Sequence, residues 1–295
     1  MPTLLLLGAI WGASFMFIEV ADRELAPTTL MMGRLVIASL VLLPALMAAY
    51  GTRRAFAMMR KEGRTAFVAG IVNAALPFTL IAWGEKHVDS GTAAIANASM
   101  PIFVVLLALR FRRSERVAGL RLFGVVLGFA GVGVLAGANP SGGWWAVAGI
   151  LAVVLASLSY AIGSLYSQHT MVRVPAPVLS TAQCIAGSLV LLPFSLAQLP
   201  DHVPGWKTLA SVAALGIAGT AIGTLLYFRL VVFHGSARAS LVVYLLPPFA
   251  LAYGASFLGE PVSLAKVLGM ALILGGIALG SGVVGWARKP APVAQ

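Results

Sequence analysis

Ten apolar stretches, most of them about 20 residues long, leave this chain few ways to fold. They lie near 3–21, 28–49, 66–84, 91–109, 118–137, 145–167, 176–197, 207–228, 238–258 and 264–286. A helix of about 20 residues rises roughly 30 Å, the thickness of a bilayer's hydrocarbon core. Strands of a membrane barrel would be about half as long and would alternate apolar with polar residues, which these stretches do not. Hydrophobic residues make up 60% of the chain and charged residues 10%, well outside the balance of a soluble domain. The expectation is an all-α integral membrane protein with ten transmembrane helices. The first stretch has no basic segment before it and nine more after it, so it reads as a retained helix.

The stretches form two sets of five. Val41-Leu42-Leu43-Pro44 returns 149 positions later as Val190-Leu191-Leu192-Pro193. His87 and Pro101 return as His234 and Pro248, at an offset of 147. Glu115, Gly124 and Gly131 return as Glu260, Gly269 and Gly276, at 145. Offsets that slide slowly in this way mark two copies whose loops have gained or lost a residue. The copies cover 1–138 and 144–287, meet at Asn139-Pro140-Ser141-Gly142-Gly143, and leave 288–295 as a disordered tail. An odd number of spans inverts the second copy relative to the first. Two inverted five-helix repeats around a midplane are the plan of secondary transporters.

The net charge of +11 suggests nucleic acid until it is mapped. With loops alternating between sides, fifteen of the 20 Lys and Arg residues fall on one side. The densest run is Arg53, Arg54, Arg60, Lys61 and Arg64. Arg23, Lys86, Lys207 and Lys266 fall on the other side, and Arg34 lies within a span. The positive-inside rule then puts both termini in the cytoplasm of a protein of the inner membrane. The basic runs contact lipid headgroups and set topology, so no nucleic-acid partner is expected. One cysteine, Cys184, excludes an internal disulfide. Walker A, zincin, nucleophile-elbow and potassium-filter patterns are all missing, so no cofactor, metal or enzymatic activity is expected. The apolar stretches hold no deep pair of carboxylates, which favours uniport or exchange over proton coupling.

Polar side chains on helical stripes are the remaining signal. Facing lipid they would be unsatisfied, so they should line an inward cavity. The candidate wall is Trp11, Ser14, Asn73, Asn97, Tyr160, Ser164, Thr224 and Tyr244. Trp11 and Tyr160 are equivalent across the repeat. Pro101 and Pro248, also equivalent, are the candidate hinges, because an intrahelical proline removes a hydrogen bond. Arg34 is expected to pair with Glu19 or Asp22, or else to attract a substrate carboxylate. Glycines four apart, such as Gly124/Gly128 and Gly276/Gly280, predict close helix packing and leave a homodimer open.

The residues also resemble a known family. Trp11-Gly12-Ala13-Ser14, Met32-Gly33-Arg34-Leu35, Pro247-Pro248-Phe249 and Phe257-Leu258-Gly259-Glu260-Pro261 look like signatures of EamA-type proteins of the drug/metabolite transporter superfamily. In the first copy Arg110-Phe111-Arg112-Arg113-Ser114-Glu115 stands in place of the last block and keeps its glutamate. The resemblance implies ten helices, a central cavity, no ATP, and export of amino acids or similar small metabolites. A multidrug efflux protein, a lipid flippase and a membrane-embedded enzyme are the rival expectations.

Overall fold

The computed structural model describes residues 2–111, 120–137, 143–170, 174–234 and 239–280. Among the described residues every regular element is helical. In chain order they are α1 (Pro2–Ala21), α2 (Pro27–Tyr50), α3 (Thr52–Lys61), α4 (Gly63–Glu85), α5 (Ser90–Asn97), α6 (Met100–Phe111), α7 (Leu120–Gly137), α8 (Gly143–Thr170), α9 (Ala176–Leu196), α10 (Trp206–Val231), α11 (Leu241–Leu258) and α12 (Leu264–Gly280). Seven of them, α1, α2, α4 and α8 to α11, are long and apolar enough to cross a membrane. In α7 and α12 the apolar segments are shorter, Leu122–Ala136 and Leu264–Leu279. The chain is therefore a multi-pass, all-helical membrane protein. Junction residues 139–142, the 288–295 tail and Glu115 lie outside the described residues.

Two expected spans are interrupted, 238–258 by a turn at Leu245 and 91–109 by a full break. The 91–109 stretch divides into α5 and α6, separated at Ala98-Ser99. Pro101 explains the restart: it has no N–H to donate to residue 97 and disfavours helical backbone in Met100 before it. The turn is closed instead by tighter bonds, Ser99 N–H to Ala96 and Ile102 N–H to Ser99.

Helix ends follow local chemistry. Proline at the first turn starts α1, α2 and α9, where its missing N–H costs nothing. Gly51, at φ 78°, ends α2 and turns the chain into α3. That helix buries Ala55 against Leu46 and Val178 and leaves its basic side chains outward, as suits a helix lying at a headgroup layer. Gly259, at φ 70°, ends α11 in the left-handed conformation, where only glycine sits without strain.

The principal pairings are α2 with α9, α7 with α12, α4 with α8 and α9, α1 with α10 and α11, α2 with α10, and α6 with α8. Glycines permit the closest of them. A β-carbon on Gly84 would lie 2.8 Å from the Gly149 carbonyl oxygen, and one on Gly149 2.9 Å from that of Gly84. Large apolar side chains on the outside, such as Leu40, Phe123 and Leu189, suit contact with acyl chains.

Charge divides along the bundle. Seven of the nine acidic residues, Glu19, Asp22, Glu24, Glu85, Asp89, Asp201 and Glu260, gather where α1, α4, α9 and α11 finish. Exposed Trp144, Trp145 and Trp206 ring this acid end, as aromatic residues do at a membrane surface. Basic α3 lies at the other end.

Candidate functional site

Arg34 is the centre of the site. It stands two turns into α2 and is 7% exposed. Its Nε donates to the Thr220 hydroxyl at 2.8 Å, and its guanidinium lies 3.9 Å from the centre of the Phe78 ring. Phe78 in turn meets Tyr160 edge-on at 6.2 Å. No carboxylate among the described residues is within ion-pair distance of Arg34. The expected pairing with Glu19 or Asp22 does not form: Glu19 pairs with Arg23 at 3.8 Å, and both lie near the acid end. Placing an arginine at this depth costs roughly 2.5–3.5 kcal/mol on insertion scales. Thr220 and Phe78 offset part of that cost, and among the described residues no carboxylate takes the guanidinium fork.

Two π-helical segments build the walls around it. In α10 the segment is Leu215–Ile222, and in α4 it is Ile71–Ala75. A π turn widens the helix and disturbs its regular bonding, which is why such turns occur at functional sites. The exposed carbonyls find partners on neighbouring helices. Gly219 O accepts from Trp11 Nε1 at 3.0 Å, and Val72 O accepts from Ser159 Oγ at 2.8 Å. Val72 and Gly219 are 147 positions apart, the offset of the repeat. Thr220 Oγ1 donates to Leu215 O at 3.0 Å, so its lone pairs are left for Arg34.

A cavity of about 280 Å³ opens between α1, α10 and the end of α11. Its lining includes Ala13, Ser14, Phe17, Ala218, Gly219 and Tyr253. Gly219 is the shared wall between cavity and arginine. A β-carbon there would meet Ser14 Oγ at 2.9 Å and Arg34 Nη2 at 3.8 Å. A small, half-open apolar cavity with the hydroxyl side chains Ser14 and Tyr253 in its lining and the Arg34 cation behind Gly219 can take a molecule with an apolar body and an anionic head.

The structure sorts the residues expected from sequence. Trp11, Ser14, Arg34 and Tyr160 come together around Gly219, Thr220 and Phe78. Asn73 and Asn97 instead join helices: Asn73 Nδ2 donates to Ser167 at 3.2 Å, and the Asn97 carbonyl accepts from Ser157 at 3.0 Å. Ser164 and Thr224 are half-buried. Half-buried Tyr244 closes a short 3-10 turn before the α-helical part of α11 and packs on the main core. Pro101 and Pro248 both sit in the first turn after a helix break.

Sequence reasoning singled out Glu19 and Glu260 but not the contacts that join them to the rest of the acid end. There Glu260 accepts from the backbone N–H groups of Ser90 and Gly91 at 2.9 and 3.1 Å, capping α5 from the second half of the chain. Lys266 pairs with Asp89 at 2.8 Å and donates to the Pro261 carbonyl at 2.7 Å. Beneath these contacts lies Glu85, 3% exposed. The scarcity of buried carboxylates expected from sequence is thus corrected. The signal was faint, a single glutamate directly after the 66–84 stretch. Asp22, 6% exposed, has no partner for its Oδ2. Burial, reinforced by Glu19 and opposed by Lys86 and Arg23, pushes its carboxyl from 3.8 up to about 7. The folded protein therefore holds a proton that the unfolded chain releases between those values, and stability falls as pH rises from 3.8 to about 7. Asp22→Asn should flatten that dependence in thermal unfolding followed across this pH range in detergent.

Comparison with known proteins accords with this architecture. A model described as the EamA-like transporter family matches residues 1–137 and 147–282. A probable terminal-alkyne amino-acid exporter of Streptantibioticus cattleyicolor is 29% identical, with 91% of this chain and 89% of that protein covered. A probable amino-acid metabolite efflux pump of Salmonella typhimurium is 25% identical, with 92% and 91% covered. A solved crystal structure superposes with a TM-score of 0.67 at 21% identity, covering 97% of this chain and 98% of the other.

Proposed function

Because the chain belongs to the EamA-like transporter family, we propose that it is a secondary carrier exporting a small metabolite, an amino acid or similar amphiphile, across the cytoplasmic membrane by alternating access. The observation that carries the substrate class is Arg34, a buried guanidinium with no carboxylate partner among the described residues, beside an apolar cavity. It would hold the substrate's carboxylate, while Ser14, Phe17 and Tyr253 line the side that meets the apolar part. The names of the two relatives, an amino-acid exporter and an amino-acid metabolite efflux pump, support the same class.

Alternating access rests on an inverted pair of five-helix repeats, with both termini cytoplasmic. The helix pairings support that plan. Exchanging the halves turns α4–α8 into α10–α1, and α6–α8 into α11–α1, while α2–α9 and α7–α12 map onto themselves. The matched π segments and the matched carbonyls of Val72 and Gly219 follow the same exchange. In this conformation the Glu260 and Lys266 contacts hold the acid end shut, with Pro101 and Pro248 as hinges beside the helix breaks.

The test is counterflow in proteoliposomes preloaded with unlabelled amino acids, with no imposed gradient. Saturable uptake of one labelled class would support the reading, and no exchange by folded protein across the panel would sink the substrate class. In the same assay Tyr160→Ala should slow exchange several-fold, because Phe78 loses the ring that holds it against Arg34. An unchanged rate would remove Tyr160 from the site.

A further inference from the structure

Among the described residues, Glu85 is the one carboxylate buried deep in the acid end with neither oxygen partnered. Both its oxygens lack a hydrogen-bond partner, as do Asp22 Oδ2 and Ser90 Oγ. Its surroundings offer little compensation. From the end of α1 come Glu19 and Asp22, from the α11–α12 loop Glu260, and from α2 Arg34, all within electrostatic reach. At the start of α5 stands Asp89, already paired with Lys266. Lys86 donates to the Asp22 carbonyl, Arg23 pairs with Glu19, and His87 is stacked on Trp145. The helix packed most closely along α4, α8, brings no charged side chain to this end.

An ionised carboxylate left unpaired in such a place is strongly disfavoured. A proton removes that cost without a coordination shell, whereas a metal cation needs several oxygens. Among the described residues no group of three His, Cys, Asp or Glu side chains is disposed to hold a metal.

We propose that Glu85, with Asp22 in reach, is a proton-binding site whose neutralisation permits the acid end to close, so that each substrate released there is exchanged for a proton carried the other way. This rests on the export reading above. With the acid end open, the wetted Glu85 carboxylate takes one proton from that side and becomes a neutral acid. The end then closes over it under the Glu260 and Lys266 contacts. Once the other side opens, water and the nearby Arg34 stabilise the carboxylate and the proton leaves there. No bond other than O–H forms or breaks, and one proton crosses per substrate.

The experiment uses wild type and Glu85→Gln in proteoliposomes with the membrane potential clamped at zero. Counterflow without a gradient is read first, on a panel of amino acids. A one-unit pH gradient is then imposed. Wild type should accumulate substrate about tenfold on the acidic side, the limit for one proton per substrate. Glu85→Gln should keep counterflow and lose the accumulation. Accumulation on the alkaline side, a response to sodium in place of protons, or a full response in Glu85→Gln would each overturn the site. If wild type shows no counterflow, the amino-acid reading of the substrate fails, and the site is judged by infrared titration of the wild-type protein. A protonated-carboxyl stretch at neutral pH, diminished in Glu85→Gln, is expected, and its absence from wild type overturns the proposal even if the variant does not fold.

Discussion

Arg34→Leu should lower kcat/KM for exchange by roughly ten- to a hundredfold while leaving the protein folded. The loss follows from the charge-assisted hydrogen bonds that a substrate carboxylate would make to the guanidinium, worth about 1.5–3 kcal/mol each. The fold should survive because the arginine is an expense to it. Its insertion costs roughly 2.5–3.5 kcal/mol, and leucine has no such cost. Thr220 is not orphaned either, since its hydroxyl already donates to Leu215 O. Arg34→Lys separates charge from shape. It keeps the cation but loses the planar stack on Phe78 and the Nε bond to Thr220, so KM should rise about tenfold with a smaller change in kcat. Initial counterflow rates against substrate concentration, with thermal unfolding of each variant in detergent, make the measurement. Wild-type exchange by Arg34→Leu would show that the arginine holds helices together and that the substrate presents no anion to it.

How much of this could be seen in the sequence depended on how far apart the partners lie in the chain. Trp11 and Ser14 were legible because two polar positions on one face of an apolar helix must turn inward. The partner of Arg34 was not. Local reasoning looked to the acids at the nearest helix end, whereas the true partner, Thr220, is 186 positions away. The π segments at Ile71–Ala75 and Leu215–Ile222 left no mark in composition, because widening a helix changes bonding and not hydropathy. Pro101 announced a bend, yet its position beside Ser99 divides the stretch into two helices. Glu85 was hidden for a packing reason. It falls just past an apolar stretch, where a residue ordinarily meets water, but the Gly84–Gly149 contact brings α8 against that part of α4. The glycines of the fifth and tenth stretches were legible as close-packing surfaces, though not as surfaces for each other.

That last contact sets the largest stability effect expected. Gly276→Val should destabilise the protein by about 3 kcal/mol or more, seen as a fall in melting temperature or recovery as aggregate. A β-carbon at Gly276 would stand 2.5 Å from Gly124 O and 2.6 Å from Gly128 N. Both are backbone atoms of α7, and neither can rotate away as a side chain would. Nor can the helices separate cheaply: a β-carbon at Gly131 would likewise meet Gly269 O at 2.9 Å and Ile273 N at 3.0 Å, so the contact is tight along its length. In lipid such packing has no hydrophobic drive to replace it, because acyl chains are as apolar as the helix faces. Gly133→Ala is the control. Nothing lies within 4 Å of a β-carbon there, and alanine favours helix by about 0.8–1 kcal/mol over glycine, so its melting temperature should hold or rise. Neither α7 nor α12 contributes a residue to the Arg34 site. Gly276→Val protein assayed below its melting temperature should therefore keep the wild-type KM. A normal melting temperature for Gly276→Val would mean that α7 and α12 are not in backbone contact, and a changed KM would mean that their packing reaches the site.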